Sequence, residues 1–389
     1  MSHSDRYDLD RSKHPNMWLK FDYIFFITVL ALAVIGLIMV NSVMIGFRDS
    51  VITRTFIVQI GGFVIGIGIA IALSCVDYIV FRHIAIFFYI GNVLLMFLVY
   101  TPLGKEMYGS NSWLDFGIMT YQPSELMKLA TIVMVAVCLE DMKLDNGRTL
   151  YNVGRIAFFS LVPLGLVLLQ KDLGTAIVFV VILSSMIFVS GLKLRYIFGT
   201  LLSVIIAFPF VWKFYLSQDT IRANRILSFF NPDLDPMKTG YQALMAKYAI
   251  GSGQLAGKGI GMGTINNGGQ LPVKESDFAF SIIGEELGFI GTVLVVLLFV
   301  ILLLKMLSVS RKSSDFFGEY VAIGIFGMFF FHFLENIGMN IGIMPITGLP
   351  LPFLSVGGSA LITSFFSVGV VLSISARRKV EGFFSDDIG

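Results

Sequence analysis

Apolar runs, each about as long as a helix needs to cross a bilayer, recur through this chain and leave few other ways to fold it. At about 20 residues per crossing, ten spans are expected, over 22–44, 55–75, 79–100, 122–140, 156–170, 173–190, 196–214, 279–304, 318–339 and 357–375. Hydrophobic residues make up 56% of the 389 and charged residues 14%, with a mean hydropathy of +0.83, which closes off a soluble fold. The expected fold class is therefore all-α: a polytopic integral membrane protein of about ten transmembrane helices, with one large loop between the seventh and eighth. No linker and no internal repeat divides the chain, so a single membrane-embedded domain over 1–389 is the simplest organisation.

Ten is an even number, so both termini share a side. Basic residues are retained on the cytoplasmic side in short loops. The tails and even-numbered loops hold 16 of them: Arg6, Arg11, Lys13, Lys20, Arg82, Lys143, Arg148, Arg155, Lys193, Arg195, Lys305, Arg311, Lys312, Arg377, Arg378 and Lys379. The short odd-numbered loops hold four, Arg48, Arg54, Lys105 and Lys171. Residues 1–21 and 376–389 are thus expected as cytoplasmic tails and 212–278 as an extracytoplasmic loop, which at that length translocates largely regardless of its own charge. The first apolar run follows a polar tail and has no small-residue cleavage site behind it, so a permanent span rather than a removable signal peptide is expected. Cys75 and Cys138 lie in or beside apolar runs and read as packing residues, not a disulfide framework. None of the four histidines pairs with a cysteine or carboxylate at zinc-ligand spacing. A net charge of +2 is too small to imply a nucleic-acid partner.

What interrupts the apolar runs carries the chemistry. In the fourth span, Pro123 suits a first helical turn, which puts Glu125 and Lys128 one turn apart just inside its outer end, near Trp113. A structural ion pair with Trp113 as an interfacial anchor is the plain reading, but charges this close to lipid are costly and point to function. Asp172, in the turn before the sixth span, is placed to cap that helix through free amides. The long loop contributes Arg222 and Arg225, whose guanidinium groups suit phosphate oxygens, together with Lys258, Lys274, Glu275, Ser276 and Asp277. Its glycines at 257, 259, 261 and 263 fit neither a phosphate-binding P-loop nor a dinucleotide fold, and read as flexibility or close backbone packing. Between the last two spans, three prolines and several glycines around Pro345 to Ser359 break the helix, which is tolerated at membrane depth only where backbone is buried or lines a polar cavity.

Taken in order, Gln122-Pro123-Ser124-Glu125 with Lys128, Asp172-Leu173-Gly174-Thr175, Asn231-Pro232 with Asp235-Pro236, Gly240-Tyr241-Gln242, Ala249 to Gly253, Gly257-Lys258-Gly259, Leu271-Pro272 with Ser276-Asp277-Phe278, Gly284 to Gly288 and Gly348 to Phe353 closely resemble the shape, elongation, division and sporulation family, which includes RodA and FtsW. Asn336-Ile337-Gly338-Met339 resembles the RodA branch, which serves cell elongation.

The resemblance implies a peptidoglycan glycosyltransferase that polymerises lipid II on the outer face of the bacterial cytoplasmic membrane and releases undecaprenyl pyrophosphate. Asp277 matches the family's essential aspartate and would be the general base for the attacking sugar hydroxyl. Trp113, Glu125, Lys128, Asp172, Arg222, Arg225, Lys258, Lys274, Glu275, Ser276 and Ser355 are the candidate substrate-binding residues. Basic groups among them, with a divalent cation (Mg2+ or Mn2+) as a candidate aid, would offset charge on the departing pyrophosphate. No organic cofactor is implied. The implied partners are a class B penicillin-binding transpeptidase and other membrane proteins of the elongation machinery. The chain departs from the family's pattern at Lys171, Ile265, Val273, Glu275 and Val356, and an acid at 275 either raises the pKa of Asp277 or shares its role. A lipid II flippase is the alternative. A transporter, however, places key charges near mid-bilayer, whereas most of these are expected at the outer surface.

Overall fold

The computed structural model describes residues 20–45, 50–107, 110–117, 120–144, 149–191, 229, 239–267 and 276–378. The expected span over 196–214, together with Arg222, Arg225, Lys274 and Glu275, lies outside the described residues.

The expected apolar runs form long helices: α1 (Tyr23–Ile45), α2 (Ser50–Cys75), α3 (Ile79–Leu98), α4 (Pro123–Leu144), α5 (Thr149–Leu169), α6 (Leu173–Val189), α9 (Ala279–Arg311), α10 (Phe316–Ile341) and α11 (Gly358–Ala376). Between α6 and α9 the described residues add α7 (Thr239–Ser252) and the single turn α8 (Thr264–Asn267). Among the described residues seven helices are long and apolar enough to cross a membrane on their own: α1, α2, α3, α5, α9, α10 and α11. The other two expected spans form as well, but α6 is short at 17 residues. Helix α4 carries Glu125 and Lys128 near one end and Glu140, Asp141 and Lys143 near the other.

Burial sorts the helices by position. The apolar windows of α10 and α11 are 72% and 83% buried, against 22% for α2 and 28% for α3, so the first two are interior and the others are peripheral. Helix α10 packs on α4, α6, α7, α9 and α11, and α2 lies along α11. Apolar side chains left exposed on peripheral helices, such as Phe87, Ile90 and Leu94 of α3, suit a lipid environment, where no water penalises them.

Helix α9 is two helices joined at a break. Gly288 has φ 67 and ψ −163, a combination open only to glycine. The amides freed there are not left bare: Phe289 N–H donates to the Gln254 carbonyl (2.8 Å) and Ile290 N–H to that of Leu255 (3.1 Å). Lys258 N–H and Gly259 N–H donate in turn to the carbonyls of Glu285 and Glu286, both 3.0 Å. A backbone break at this depth is stable only when protein supplies such partners. The glycine-rich stretch that invites comparison with nucleotide loops is therefore a backbone clasp around the break. At Gly253 an added Cβ would run into the Gly284 carbonyl, which accounts for a glycine there.

One further element goes beyond the all-α expectation. Residues after α3 form a small antiparallel sheet in the order β1 (Gly104–Met107), β2 (Ser110–Asp115), β3 (Thr120–Tyr121), with Lys105 opposite Trp113 and Leu114 opposite Tyr121. Asn111 N–H (3.1 Å) and the Ser110 hydroxyl (3.0 Å) both donate to the carbonyl of Gln170 in the α5–α6 turn, whose side chain donates to Met96 O (3.0 Å). The sheet is thus tied to the ends of α3 and α5 at the end of the bundle where α4 and α6 begin.

Candidate active site

Asp277 lies in the turn that leads into α9, half-buried, and its carboxylate Oδ1 accepts from the Ser276 hydroxyl at 2.6 Å. Its main chain is held from α10. Asn336 Nδ2 donates to Asp277 O (3.0 Å) and to Leu349 O (2.8 Å). Asn340 Nδ2 donates to Asp277 O (3.2 Å) and Asn336 O (2.7 Å), while its Oδ1 accepts from the Ser281 amide (3.2 Å) and hydroxyl. Phe278 cannot cap α9 with its own side chain, so Asn340 does this from a neighbouring helix. A third tie comes from the broken segment before α11: the Ser355 hydroxyl donates to Ser276 O (2.5 Å) and accepts from Leu351 N–H (2.8 Å). Both asparagines are fully buried, where an unmade amide hydrogen bond costs about 1–3 kcal/mol.

Glu335, next to Asn336, is 1% exposed. Its Oε1 accepts from the Thr347 hydroxyl, and its Oε2 is buried without a hydrogen-bond partner among the described residues.

A small cavity opens alongside, walled by α4, α10, α11 and residues 350–355. Glu125, Lys128, His332 and Ser355 supply its polar lining, and Met328, Phe329, Phe353 and Leu361 much of the rest. Lys128 Nζ donates to Glu125 Oε1 at 2.9 Å and to His332 Nε2 at 2.9 Å, and His332 Nδ1 meets Pro350 O at 3.0 Å. Phe353 sits in the left-handed region at φ 66, costing about 1–2 kcal/mol, and is held there by stacking on Phe329 (5.7 Å between centroids) and an edge contact with Phe365 (5.4 Å). Ser355 belongs to both groups, since it lines the cavity and touches the turn before Asp277.

The other sequence candidates are spread more widely. Asp172 caps α6, its Oδ1 accepting from Thr175 N–H (3.0 Å) and its Oδ2 from the Thr175 hydroxyl (2.8 Å) and Gln122 Nε2 (3.0 Å). Burial pushes its carboxyl above the ordinary value against the pull of the Thr175 hydrogen bonds. Trp113 is half-buried in β2 and does not line the cavity. Lys258 folds back onto Glu285 Oε1 (2.8 Å) within the glycine clasp, also away from the cavity. Sequence reasoning missed His332, Glu335 and Asn340. A polar or ionisable side chain inside an apolar run is itself a signal, and would have flagged all three. No group of three or more His, Cys, Asp or Glu side chains among the described residues could hold a metal ion.

Comparison with known proteins places this arrangement in a lineage. The chain is 32% identical to "Peptidoglycan glycosyltransferase RodA" of Treponema pallidum, across 92% of this chain and 98% of that one. It is 35% identical to "Peptidoglycan glycosyltransferase MrdB" of Escherichia coli K12, across 83% and 86% respectively. Among solved structures it is similar to the rod shape determining protein RodA of Thermus thermophilus, with a TM-score of 0.68, 26% identity and coverage of 94% and 99%. It is also similar to a chain from the structure "Structural coordination of polymerization and crosslinking by a peptidoglycan synthase complex", with a TM-score of 0.77, 28% identity and coverage of 92% and 98%. The profile of the FTSW_RODA_SPOVE family, described as "Cell cycle protein", matches residues 22–380, and the chain belongs to this family of shape, elongation, division and sporulation proteins.

Proposed function

We propose that this protein is a peptidoglycan glycosyltransferase that polymerises lipid II during cell elongation, with Asp277 as its base. The observation that carries the reading is the clamping of the Asp277 turn by Asn336, Asn340 and Ser355 beside a cavity holding a buried Lys128–Glu125 pair. A base held this rigidly, linked through Ser355 to a cavity whose wall carries a buried cation, suits a reaction that takes a proton from one group and releases an anion from another. The relatives named RodA and MrdB favour the elongation branch.

In the proposed step a sugar hydroxyl attacks the anomeric carbon of the lipid-linked sugar. Its proton goes to the Asp277 carboxylate as the new glycosidic bond forms. The bond from carbon to pyrophosphate oxygen breaks and undecaprenyl pyrophosphate leaves, so a single displacement turns an α-linked donor into a β-linked glycan. Ser276 orients the base through its hydroxyl. Lys128 and Ser355 meet the substrate from the cavity, and Arg222, Arg225, Lys258, Lys274 and Glu275 act from the long segment. Trp113, Glu125 and Asp172 complete the substrate-binding set. A divalent cation, if used, would be held largely by pyrophosphate oxygens and water, the usual habit of Mg2+.

The chain is read as one unit in the bacterial cytoplasmic membrane, both termini cytoplasmic and the Asp277 end outward, where a lipid-linked sugar awaits polymerisation. The structural likeness to a chain of a peptidoglycan synthase complex supports a transpeptidase partner of the class B penicillin-binding type and a place among elongation membrane proteins. The test is polymerisation of fluorescent lipid II by purified protein, with and without a cognate transpeptidase. Glycan chains from wild type, lost by at least about 100-fold in a folded Asp277→Ala variant, are the expected result. Movement of lipid II across liposomes without any polymer would instead make the chain a flippase, which the buried charges beside the cavity keep as the second reading.

A further inference from the structure

Among the described residues His332 is the one histidine built into the cavity wall, and its two hydrogen bonds fix its chemical form. A carbonyl oxygen only accepts, so the contact with Pro350 O places the ring proton on Nδ1. Nε2 is then a lone pair, and it accepts from the Lys128 ammonium at 2.9 Å. Lys128 donates a second hydrogen bond to Glu125 Oε1, also at 2.9 Å, and its side chain is 1% exposed. An ammonium has three donors. With two committed to Glu125 and His332, the third is left for the cavity that all three residues line.

A lysine is a point charge on a flexible four-carbon stem, and one carboxylate does not fix its direction. The second acceptor does. The imidazole is itself braced by the Pro350 carbonyl, in the same segment that carries the strained Phe353 and the Ser355 hydroxyl against the Asp277 turn. His332 and Asn336 are four residues apart on α10, so one helix face sets both the cation and the main chain of Asp277.

We propose that His332 is a positioning residue that aims the third N–H of Lys128 at a phosphate oxygen of the lipid-linked substrate. This rests on the glycosyltransferase reading and adds to it a neutral, singly protonated imidazole that touches no reacting atom.

Four variants in the full-length protein test it. His332→Phe keeps the ring and removes both hydrogen bonds; His332→Gln has an amide that can donate to Pro350 O and an oxygen that can accept from Lys128. The third combines His332→Phe with Lys128→Met, and the fourth is Lys128→Met alone. Polymerisation of lipid II is measured for wild type and the two single His332 variants. Binding of undecaprenyl pyrophosphate is measured for all of these, for Lys128→Met and for the double variant, with thermal unfolding alongside. His332→Phe is expected to lower kcat/KM by about 10- to 100-fold and to weaken pyrophosphate binding, since small misplacements of a charge act on that scale. His332→Gln is expected to recover most of both. In the Lys128→Met background His332→Phe is expected to cost no further binding, because a residue acting through Lys128 has nothing left to position. The proposal is overturned if His332→Phe matches wild type, if His332→Gln is as impaired as His332→Phe, or if the two substitutions add. If His332→Phe fails to fold, His332→Asn, whose shorter stem spans only one of the two partners, replaces it with the same expectations. Wild type that makes no polymer overturns the glycosyltransferase reading itself, whereas an active wild type with an unimpaired His332→Phe overturns only the role of His332.

Discussion

Where α4 ends and α10 begins, charged side chains join the helices while staying in reach of water; at the Asp277 end, amides, hydroxyls and a buried ion pair do the joining. The first end is tied by Arg82–Glu140 (2.5 Å), Arg155–Asp141 (2.8 Å), Lys305–Asp22 (3.1 Å) and the Tyr78 hydroxyl to Asp315 (2.6 Å). The Arg82 side chain is 37% exposed, so loss of its partner leaves it hydrated. At the other end Lys128 is buried, and Asn340 alone serves Asp277, Asn336 and Ser281. Charge near water tolerates replacement, whereas a buried polar group has to find every partner inside the protein. The sensitive chemistry is thus concentrated where the candidate site lies.

The largest expected difference is at Lys128. Lys128→Met strands the Glu125 carboxylate in the bundle and should destabilise the protein by about 3–5 kcal/mol, read as a fall in the thermal midpoint in detergent. Adding Glu125→Gln should restore much of that loss, and a double variant no more stable than the single would break the comparison. Next comes Asn340→Leu, which takes the acceptor from the buried Ser281 hydroxyl and weakens the hold on Asp277 O. A loss of about 1–3 kcal/mol is expected, with faster hydrogen exchange at the start of α9. Glu140→Gln at the opposite end leaves only the exposed Arg82 without its partner, so it should cost about 0–1 kcal/mol and leave lipid II turnover unchanged. A Glu140 effect as large as that of Lys128 would erase the distinction.

The smallest effect is expected at the exposed edge of the sheet. The side-chain hydrogen bond from Lys105, then the Gly117 amide, hold the Asp115 carboxyl below its ordinary value. A lowered folded-state value stabilises above the unfolded-state value and fades as pH falls through the folded one. The β1–β2 pairing should therefore loosen only in acid below the ordinary carboxyl range, seen by hydrogen exchange, and Asp115→Asn should remove that dependence.

The fold was legible where burial in lipid imposes a length. All nine expected spans that fall within the described residues form helices, α4 included, although its end charges dilute the apolar signal. The join in α9 was not legible, because the partners that make a break possible come from Gln254 and Leu255, more than thirty residues earlier. Likewise the sheet depends on Gln170, far along the chain from Ser110, and no local pattern announces it. For the site, Glu125, Lys128 and Ser355 stood out as polar residues beside apolar runs and do share one cavity. Asp172 also stood out, yet its bonds are those of a helix cap, the plainer of its two readings. His332 could have been flagged as an ionisable residue inside an apolar run, but its partners on α4 and at Pro350 could not, because sequence distance hides both.

As a mechanical part, the join at Gly288 is a splice in a beam. An unbroken helix of 33 residues would be a lever about 50 Å long, and any rocking of its lipid-facing shaft would swing Asp277 at its tip. With the splice the tip is a bracket of about 13 Å, pinned by Asn340 and Ser355 and footed on the glycine clasp. Long helices tilt to follow the thickness of the bilayer around them. With the join, the bracket takes its alignment from the clasp and from α10 as well as from the shaft, so a tilt of the shaft is expected to reach Asp277 only in part.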